Sequence, residues 1–209
     1  MKKPSRSFKA KSLKTFALSW LRFNLNYDTV CSEDPHRNAD AIGTNTEEDC
    51  KKMTEIEVKV DMADLKADIN KDTGRDGLAL TKHEAMANIG DQDNKRTTLQ
   101  PSQFYFLVPT EMLEKAREYI HEKHPHAGIL HANPVELVGF NSNPIVLDKT
   151  AKVLHKLLIS KVIKRAILMR SSSELCRALI KMHAADVEKL TKTSTQDEAP
   201  SQNETVKPE

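Results

Sequence analysis

The run Thr54-Glu55-Ile56-Glu57-Val58-Lys59-Val60 constrains the fold more than any other stretch of the chain. Successive side chains of a strand point to opposite faces. Ile56, Val58 and Val60 therefore turn toward a core, while Glu57 and Lys59 share the other face. Shortly before it, Arg37-Asn38-Ala39-Asp40-Ala41-Ile42-Gly43 reads as another short strand carrying one acid, with a polar loop between the two. Paired as a hairpin, the strands set Asp40 beside Glu57 and Lys59. Two carboxylates and a lysine on one edge suit metal-assisted cleavage of a phosphodiester. Hard cations such as Mg2+ take oxygen ligands and few protein carboxylates. The ion polarises the phosphate and lowers the pKa of an attacking water. A lysine holds that water or steadies charge on the phosphate.

A chain of 209 residues, 38% of them hydrophobic, has enough apolar material for one domain with a core. Its formal net charge of +2 does not argue for nucleic acid, but the charge is unevenly placed. No acid precedes Asp28, whereas Lys2, Lys3, Arg6, Lys9, Lys11, Lys14 and Arg22 do. The segment from Lys149 to Lys192 is basic again, and acids gather between Glu33 and Asp93. Cys31, Cys50 and Cys176 are odd in number and widely spaced, without a Cys-x-x-Cys, which fits a reducing cytoplasm better than secretion. No apolar run approaches the length of a membrane-spanning helix. Leu13 to Leu25 is broken by Ser19, Arg22 and Asn24 and makes a poor signal-peptide core. A mitochondrial presequence is the alternative reading of this basic, acid-free segment.

Residues 1–10 read as a disordered basic arm. Leu13, Phe16, Ala17, Trp20 and Leu21 then fall on one helix face. Strands are expected at Tyr27–Ser32, Ala39–Gly43 and Glu55–Val60, and a helix over Met62–Ile69. Thr81 caps a short helix reaching Asn88 and stopped by Gly90. Gln103–Val108 is a buried type of strand, and Pro109-Thr110 opens a helix to about Lys123. Gly128–His131 and Val135–Phe140 read as two further strands. A long helix is expected from Asp148, with Ser171-x-x-Glu174 as a capping box that restarts it. The polar stretch from Thr191 to Glu209, with Pro200 and Pro208, reads as disordered. The order predicts an α/β domain, a mixed sheet flanked by helices.

The ordered set Arg37 to Ile42, Glu57 to Asp68, Phe104 to Pro109, Lys115-Ala116 and Ala127 to Leu130 resembles the PD-(D/E)XK, or restriction-endonuclease-like, nuclease superfamily. It is most similar to a branch of small bacterial and phage proteins that includes the MmcB-like DNA-repair proteins. The resemblance implies a restriction-endonuclease-like mixed sheet over residues 11–170, a helical extension over 171–190 and a tail over 191–209. It implies Asp40, Glu57 and Lys59 as the catalytic set, with Asp40, Glu57 and the Val58 backbone carbonyl holding Mg2+ or Mn2+. Glu33 and Asp64 enter as accessory acids. The implied activity is hydrolysis of DNA, in repair or in processing of phage and mobile-element DNA, with a catalytically silent DNA- or protein-binding module as the alternative. Nucleases of this fold often dimerise to cut two strands, so the resemblance admits a homodimer. Asp61 departs from the branch, which shows a small polar residue there, and the stretch from Asn70 to Pro101 is longer than usual.

Arg37, Lys82, His83, Lys152 and Lys156 are the candidate contacts to nucleic acid. Arg37 could clamp a phosphate. Lys82 and His83 could touch one or orient water, although solubility explains a short polar helix equally well. Lys149, Lys152 and Lys156 lie at helical spacing and could track a phosphate backbone; the alternative is a solvated helix face. His121, His124, His126 and His131 suggest zinc at first sight. Pro125 breaks the helix between them and no cysteine is close, so stabilisation of a helix C-terminus by basic side chains explains them better.

Overall fold

In the computed structural model, helix α1 (Arg6–Ser19) starts where the Ser5 hydroxyl accepts the Phe8 N–H at 3.2 Å. The structure describes residues 4–34, 39–68, 81–87, 89, 100–136 and 143–197, and for Asp34 and residues 186–197 the backbone alone. A side-chain oxygen at that place satisfies a donor that the first turn leaves unpaired. The arm expected over residues 1–10 is therefore helical from Arg6 on. Leu13, Phe16 and Ala17 face inward, and a π-helical turn, Trp20–Asn24, carries Trp20 and Leu21 into the same cluster. Asn26, at φ 56°, follows the turn; asparagine is one of the few L-residues that tolerates left-handed backbone.

Among the described residues six strands then lie in one sheet in the order in which the chain makes them: β1 (Thr29–Asp34), β2 (Ala39–Thr44), β3 (Met53–Val58), β4 (Gln103–Pro109), β5 (Gly128–Ala132) and β6 (Val146–Lys149). β1, β2 and β3 form an antiparallel meander, β3–β4 and β4–β5 are parallel, and β6 returns antiparallel to β5. Parallel neighbours need crossover connections. The first contains α2 (Met62–Ala67) and α3 (Lys82–Ala87). The second contains α4 (Leu113–Lys123), entered through the 3-10 turn Thr110–Met112. Helix α5 (Lys161–Asp197) follows β6. The expected architecture, a mixed sheet flanked by helices with a long C-terminal helix, is the one observed.

The sheet is buried on both faces. Ile56, Val58, Tyr105, Leu107 and Leu130 cluster with the α1 residues Leu13, Phe16 and Ala17. On the other face Phe104, Phe106, Val108 and Ile129 cluster with Leu65 of α2, Met86 of α3 and Ala116 and Ile120 of α4. Ile159, Ile163 and Ile167 complete a third cluster with Cys31, Ile42 and Met53. By its contacts the chain divides into Met1–Ser171 and Ser172–Glu209. The second unit, as far as its side chains are described, is helix with Leu175, Leu179, Ile180 and Met182 exposed.

Three expectations change. The long helix does not begin at Asp148, which lies in β6. The backbone N–H groups of Lys152, Leu154 and Ile159 go to the carbonyls of His126, Ser102 and Cys50, not to their own preceding turn. Helix starts only at Lys161, and it runs unbroken past the Ser171-x-x-Glu174 pattern and Thr191 to Asp197. The strand expected at Val135–Phe140 is turn as far as Glu136; the remaining residues of that stretch lie outside the described ones, as do Ile69, Asn88 and Gly90.

β5 opens on Gly128 because its neighbours leave no room for a side chain. A Cβ there would stand 2.3 Å from ring carbons of Tyr105 and 2.7 Å from the Ala151 nitrogen. Gly128→Ala is expected to destabilise the protein by about 1–3 kcal/mol, the range for overpacking a filled core. Denaturant titration reads it, and an unchanged midpoint would mean that Tyr105 moves aside freely.

Candidate active site

β2 and β3 part at Asp40. Their register runs from Thr44 opposite Met53 to Ala41 opposite Ile56. Beyond that pair the Val58 N–H donates to Asp40 Oδ2 at 2.8 Å, so a side chain takes the place of the backbone ladder. Asp40 Oδ1 stands 2.9 Å from Lys14 Nζ, which also donates to Glu33 Oε1 at 3.1 Å. Lys14 thus joins Asp40 to Glu33, the residue expected as an accessory acid, which holds an unusual backbone conformation at φ 50° on β1. The Asp40 side chain is 22% exposed and opens on a cleft of about 580 Å³. The cleft is lined by Arg6, Lys14, Lys59 and Asp64 among others.

Asp61, which departs from the pattern the sequence resembles, has a local task. Its Oδ1 accepts the Asp64 N–H at 2.8 Å and caps α2. Arg6 from α1 reaches Asp61 at 3.3 Å and Asp64 at 3.8 Å, so the added negative charge is partly offset.

Burial raises the Asp40 pKa above the ordinary aspartate value and the nearby Glu57 adds to the rise, while the hydrogen bonds from Lys14 and the Val58 N–H oppose both. Burial works against the Lys14 charge, but Asp40 and Glu33 outweigh it and raise that pKa as well. Lys14→Met is therefore expected to push the Asp40 pKa up further, read by carboxyl 13C chemical shift against pH. A lower or unmoved midpoint would show that Lys14 does not act on Asp40.

Glu57 and Lys59 share a face as expected, but that face is not an open edge. Glu55 and Glu57 pair in register with Phe104 and Phe106, so they look toward α2 and α3. Glu55 and Glu57 are fully buried and Lys59 is 3% exposed. The charges are compensated in a chain across three elements. Lys82 Nζ from α3 lies against Glu55 and 2.5 Å from Glu57 Oε1. Lys59 Nζ lies 3.4 Å from Glu57 Oε2 and against Asp68 Oδ1. Asp68 Oδ2 is 2.6 Å from His83 Nε2. Burial at this depth is tolerable only because each charge meets an opposite one.

Lys82 and His83 are each 5% exposed and turned inward onto carboxylates. The phosphate contacts expected of them are not open to them in this arrangement. Lys152 and Lys156 are exposed, but they lie in the irregular stretch before α5, so the helical spacing with Lys149 has no helix beneath it. The stretch that carries them is tied through Lys152 to His126, ahead of β5, and through Leu154 to Ser102, at the start of β4, whereas the cleft is at the end of β3. At about 3.3 Å per residue a strand length separates them from Asp40. Arg37 lies outside the described residues.

Further residues join the site that the sequence reading did not single out, Lys14, Glu55 and Asp68, and beside them lie the rings of His124 and His126, which it weighed only for zinc. The His83 and His124 rings are 4.2 Å apart and those of His83 and His126 are 5.7 Å apart. Among the described residues no three His, Cys, Asp or Glu side chains are placed to hold a metal ion. The histidines pack with Phe104, Phe106 and Tyr119. No protein-family model matches the chain, and no curated protein matches it. No helix among the described residues is long and apolar enough to cross a membrane.

Proposed function

We propose that the chain is a Mg2+- or Mn2+-dependent nuclease of the PD-(D/E)XK type that hydrolyses phosphodiester bonds in DNA. One observation carries the reading: a half-buried aspartate, Asp40, set where β2 and β3 part, in a cleft bordered by Lys14, Lys59 and Arg6. A carboxylate ringed by cations in a cleft this size has the charge for a metal-bound phosphate. Asp40 and Glu57, with the Val58 carbonyl, are all oxygen donors. Mg2+ asks for one or two carboxylates and keeps its remaining places for water and phosphate. The oxygen chemistry of the set suits that ion; Asp40 and Val58 line the cleft, while Glu57 is buried against Lys59 and Lys82 and would have to exchange one of them for the cation. Bound there, the ion would polarise the phosphate and acidify a water. Lys59 borders the cleft, but its ammonium is turned inward onto Glu57 and Asp68; to steady charge on the attacked phosphate it would have to turn outward from them. Lys14 offsets charge at Asp40, and Arg6 is placed to contact the flanking backbone.

A second reading has its own support. Both Glu57 oxygens already face ammonium groups, from Lys59 and Lys82. A cation must compete with them, and a descendant that has given up catalysis and only binds DNA or a protein would keep such pairs. Either activity suits a reducing cytoplasm, and repair or processing of mobile DNA is the process that the resemblance suggests. A homodimer would fit the cutting of two strands.

The test is incubation with Mn2+ and a mixed set of duplex, single-stranded and branched DNA, beside a melting curve with and without the cation. Cleavage supports the nuclease. Binding to the same DNA without cleavage, and without the rise in melting temperature that a cation specific to the native state requires, supports the binding module. An absence of both cleavage and binding removes both readings of the cleft.

A further inference from the structure

We infer that His83 is a positioning residue for Lys59, acting through Asp68. The inference rests on the nuclease reading only for what Lys59 does in the cleft; the arrangement itself is independent of it. Lys59 follows β3, Asp68 follows α2 and His83 belongs to α3, and the three side chains are 3%, 1% and 5% exposed. The two oxygens of one carboxylate divide between the other two groups. Oδ1 meets the Lys59 ammonium and Oδ2 meets His83 Nε2 at 2.6 Å. A lysine is a compact charge on a flexible four-carbon stem, so its place is set by what it is tied to. Here it is tied to Asp68, and the rotamer of Asp68 is fixed from the far side by His83.

The surroundings of His83 leave it few other tasks. Asp68 faces it from the end of α2, and Phe104 and Phe106 from β4. His124 and His126 face it from the connection between α4 and β5. Lys82, its neighbour on α3, is turned to Glu55 and Glu57. Asp68 is the one group among these that is placed to take the Nε2 proton. Without that donor, Asp68 loses the partner that holds its Oδ2, and its hold on Lys59 through Oδ1 weakens. Lys59 then has a competing partner already within reach, Glu57 Oε2 at 3.4 Å. A shift of the ammonium toward Glu57 draws it away from Asp68 and adds to the cation load on a carboxylate proposed to hold the metal. Both consequences act against catalysis without His83 touching substrate.

The test uses the full chain labelled with 15N at the lysine side chains, with the Lys59 resonance assigned from a Lys59→Arg variant. His83→Gln keeps an N–H at about the reach of Nε2 and His83→Leu removes it. His83→Asn, polar but too short to reach Asp68, is the replacement if the leucine variant does not fold. Wild type and His83→Gln are expected to show a Lys59 ammonium protected from hydrogen exchange. His83→Leu or His83→Asn is expected to speed that exchange at least about tenfold and to lower kcat for Mn2+-dependent cleavage by a similar factor, with KM changed less than about threefold. A folded leucine or asparagine variant with an unmoved Lys59 signal overturns the inference, whether or not the protein cleaves DNA. A moved signal in a protein that cleaves nothing upholds the positioning role and removes the nuclease reading.

Discussion

Asp40→Asn is expected to lower Mn2+-dependent cleavage by at least about 100-fold, the scale on which an electrostatic contact to the reacting centre acts, while changing stability by less than about 1 kcal/mol. The asparagine carbonyl can still accept the Val58 N–H that Asp40 Oδ2 accepts at 2.8 Å, so the junction between β2 and β3 keeps its hydrogen bond. What disappears is the negative charge, together with its attraction for Lys14 at 2.9 Å. Lys59 is the less informative target. Its ammonium is buried against Glu57 and Asp68, and deleting one partner of a buried pair costs about 3–5 kcal/mol because the other charge is stranded. An inactive Lys59→Ala would mix lost chemistry with lost folding. Undiminished cleavage by folded Asp40→Asn, measured on the same DNA set, would remove this cleft as the catalytic site.

Acid should begin to destabilise the protein well above the pH at which carboxylates titrate. Burial, reinforced by the neighbouring His83 and by one another's charge in the case of His124, lowers the His124 pKa to about 3 and the His126 pKa to about 4. Both are neutral in the fold, whereas in the unfolded chain they protonate near the ordinary value of about 6.5. Their contribution is complete above that value and declines as pH falls toward the folded-state values, because the unfolded chain binds more protons throughout that window. Two such groups give a slope approaching about 2.7 kcal/mol per pH unit. A domain with about 5–15 kcal/mol in hand should lose much of it between pH 6.5 and pH 4. The raised pKa of Asp40 acts in the opposite sense, but it is a single, partly exposed group. Denaturant titrations at pH 7.5, 6 and 5 measure the slope. His124→Phe should roughly halve it, at little cost at pH 7.5, since neither His124 ring nitrogen has a hydrogen-bond partner among the described residues. Equal stability at pH 7.5 and pH 5 would show that the rings are not held neutral.

Strands were legible in the sequence wherever one face alternates with the other. Glu55 to Val60 and Gln103 to Val108 placed β3 and β4 to within a residue or two of where they lie. The same alternation contained Glu55, which shares a face with Glu57, but a reading fixed on Glu-x-Lys stopped short of it. Leu154, Leu157 and Leu158 mimic a helix stripe, yet the backbone there is taken up by hydrogen bonds to distant segments, which no local period can reveal. Burial of Lys82 and His83 was hidden for a related reason. A charged dipeptide reads as solvent-exposed unless its partners are known, and Glu57 and Asp68 lie many residues earlier. Lys14 looked like one more cation of a basic arm; only the turn of α1 over β2 selects it for Asp40.

Strands laid side by side in the order of synthesis have a consequence for the growing chain. Until β4 exists, β3 is the edge of a three-stranded sheet, and an unpaired edge invites pairing with a second chain. The face of that edge carries Glu55, Glu57 and Lys59, charges of the kind that discourage such pairing. Before Lys82 and His83 have been added, those groups stand in water and guard the unfinished sheet. The partners that later neutralise them arrive in the same connection that delivers β4, so protection is withdrawn only when the edge is about to be covered.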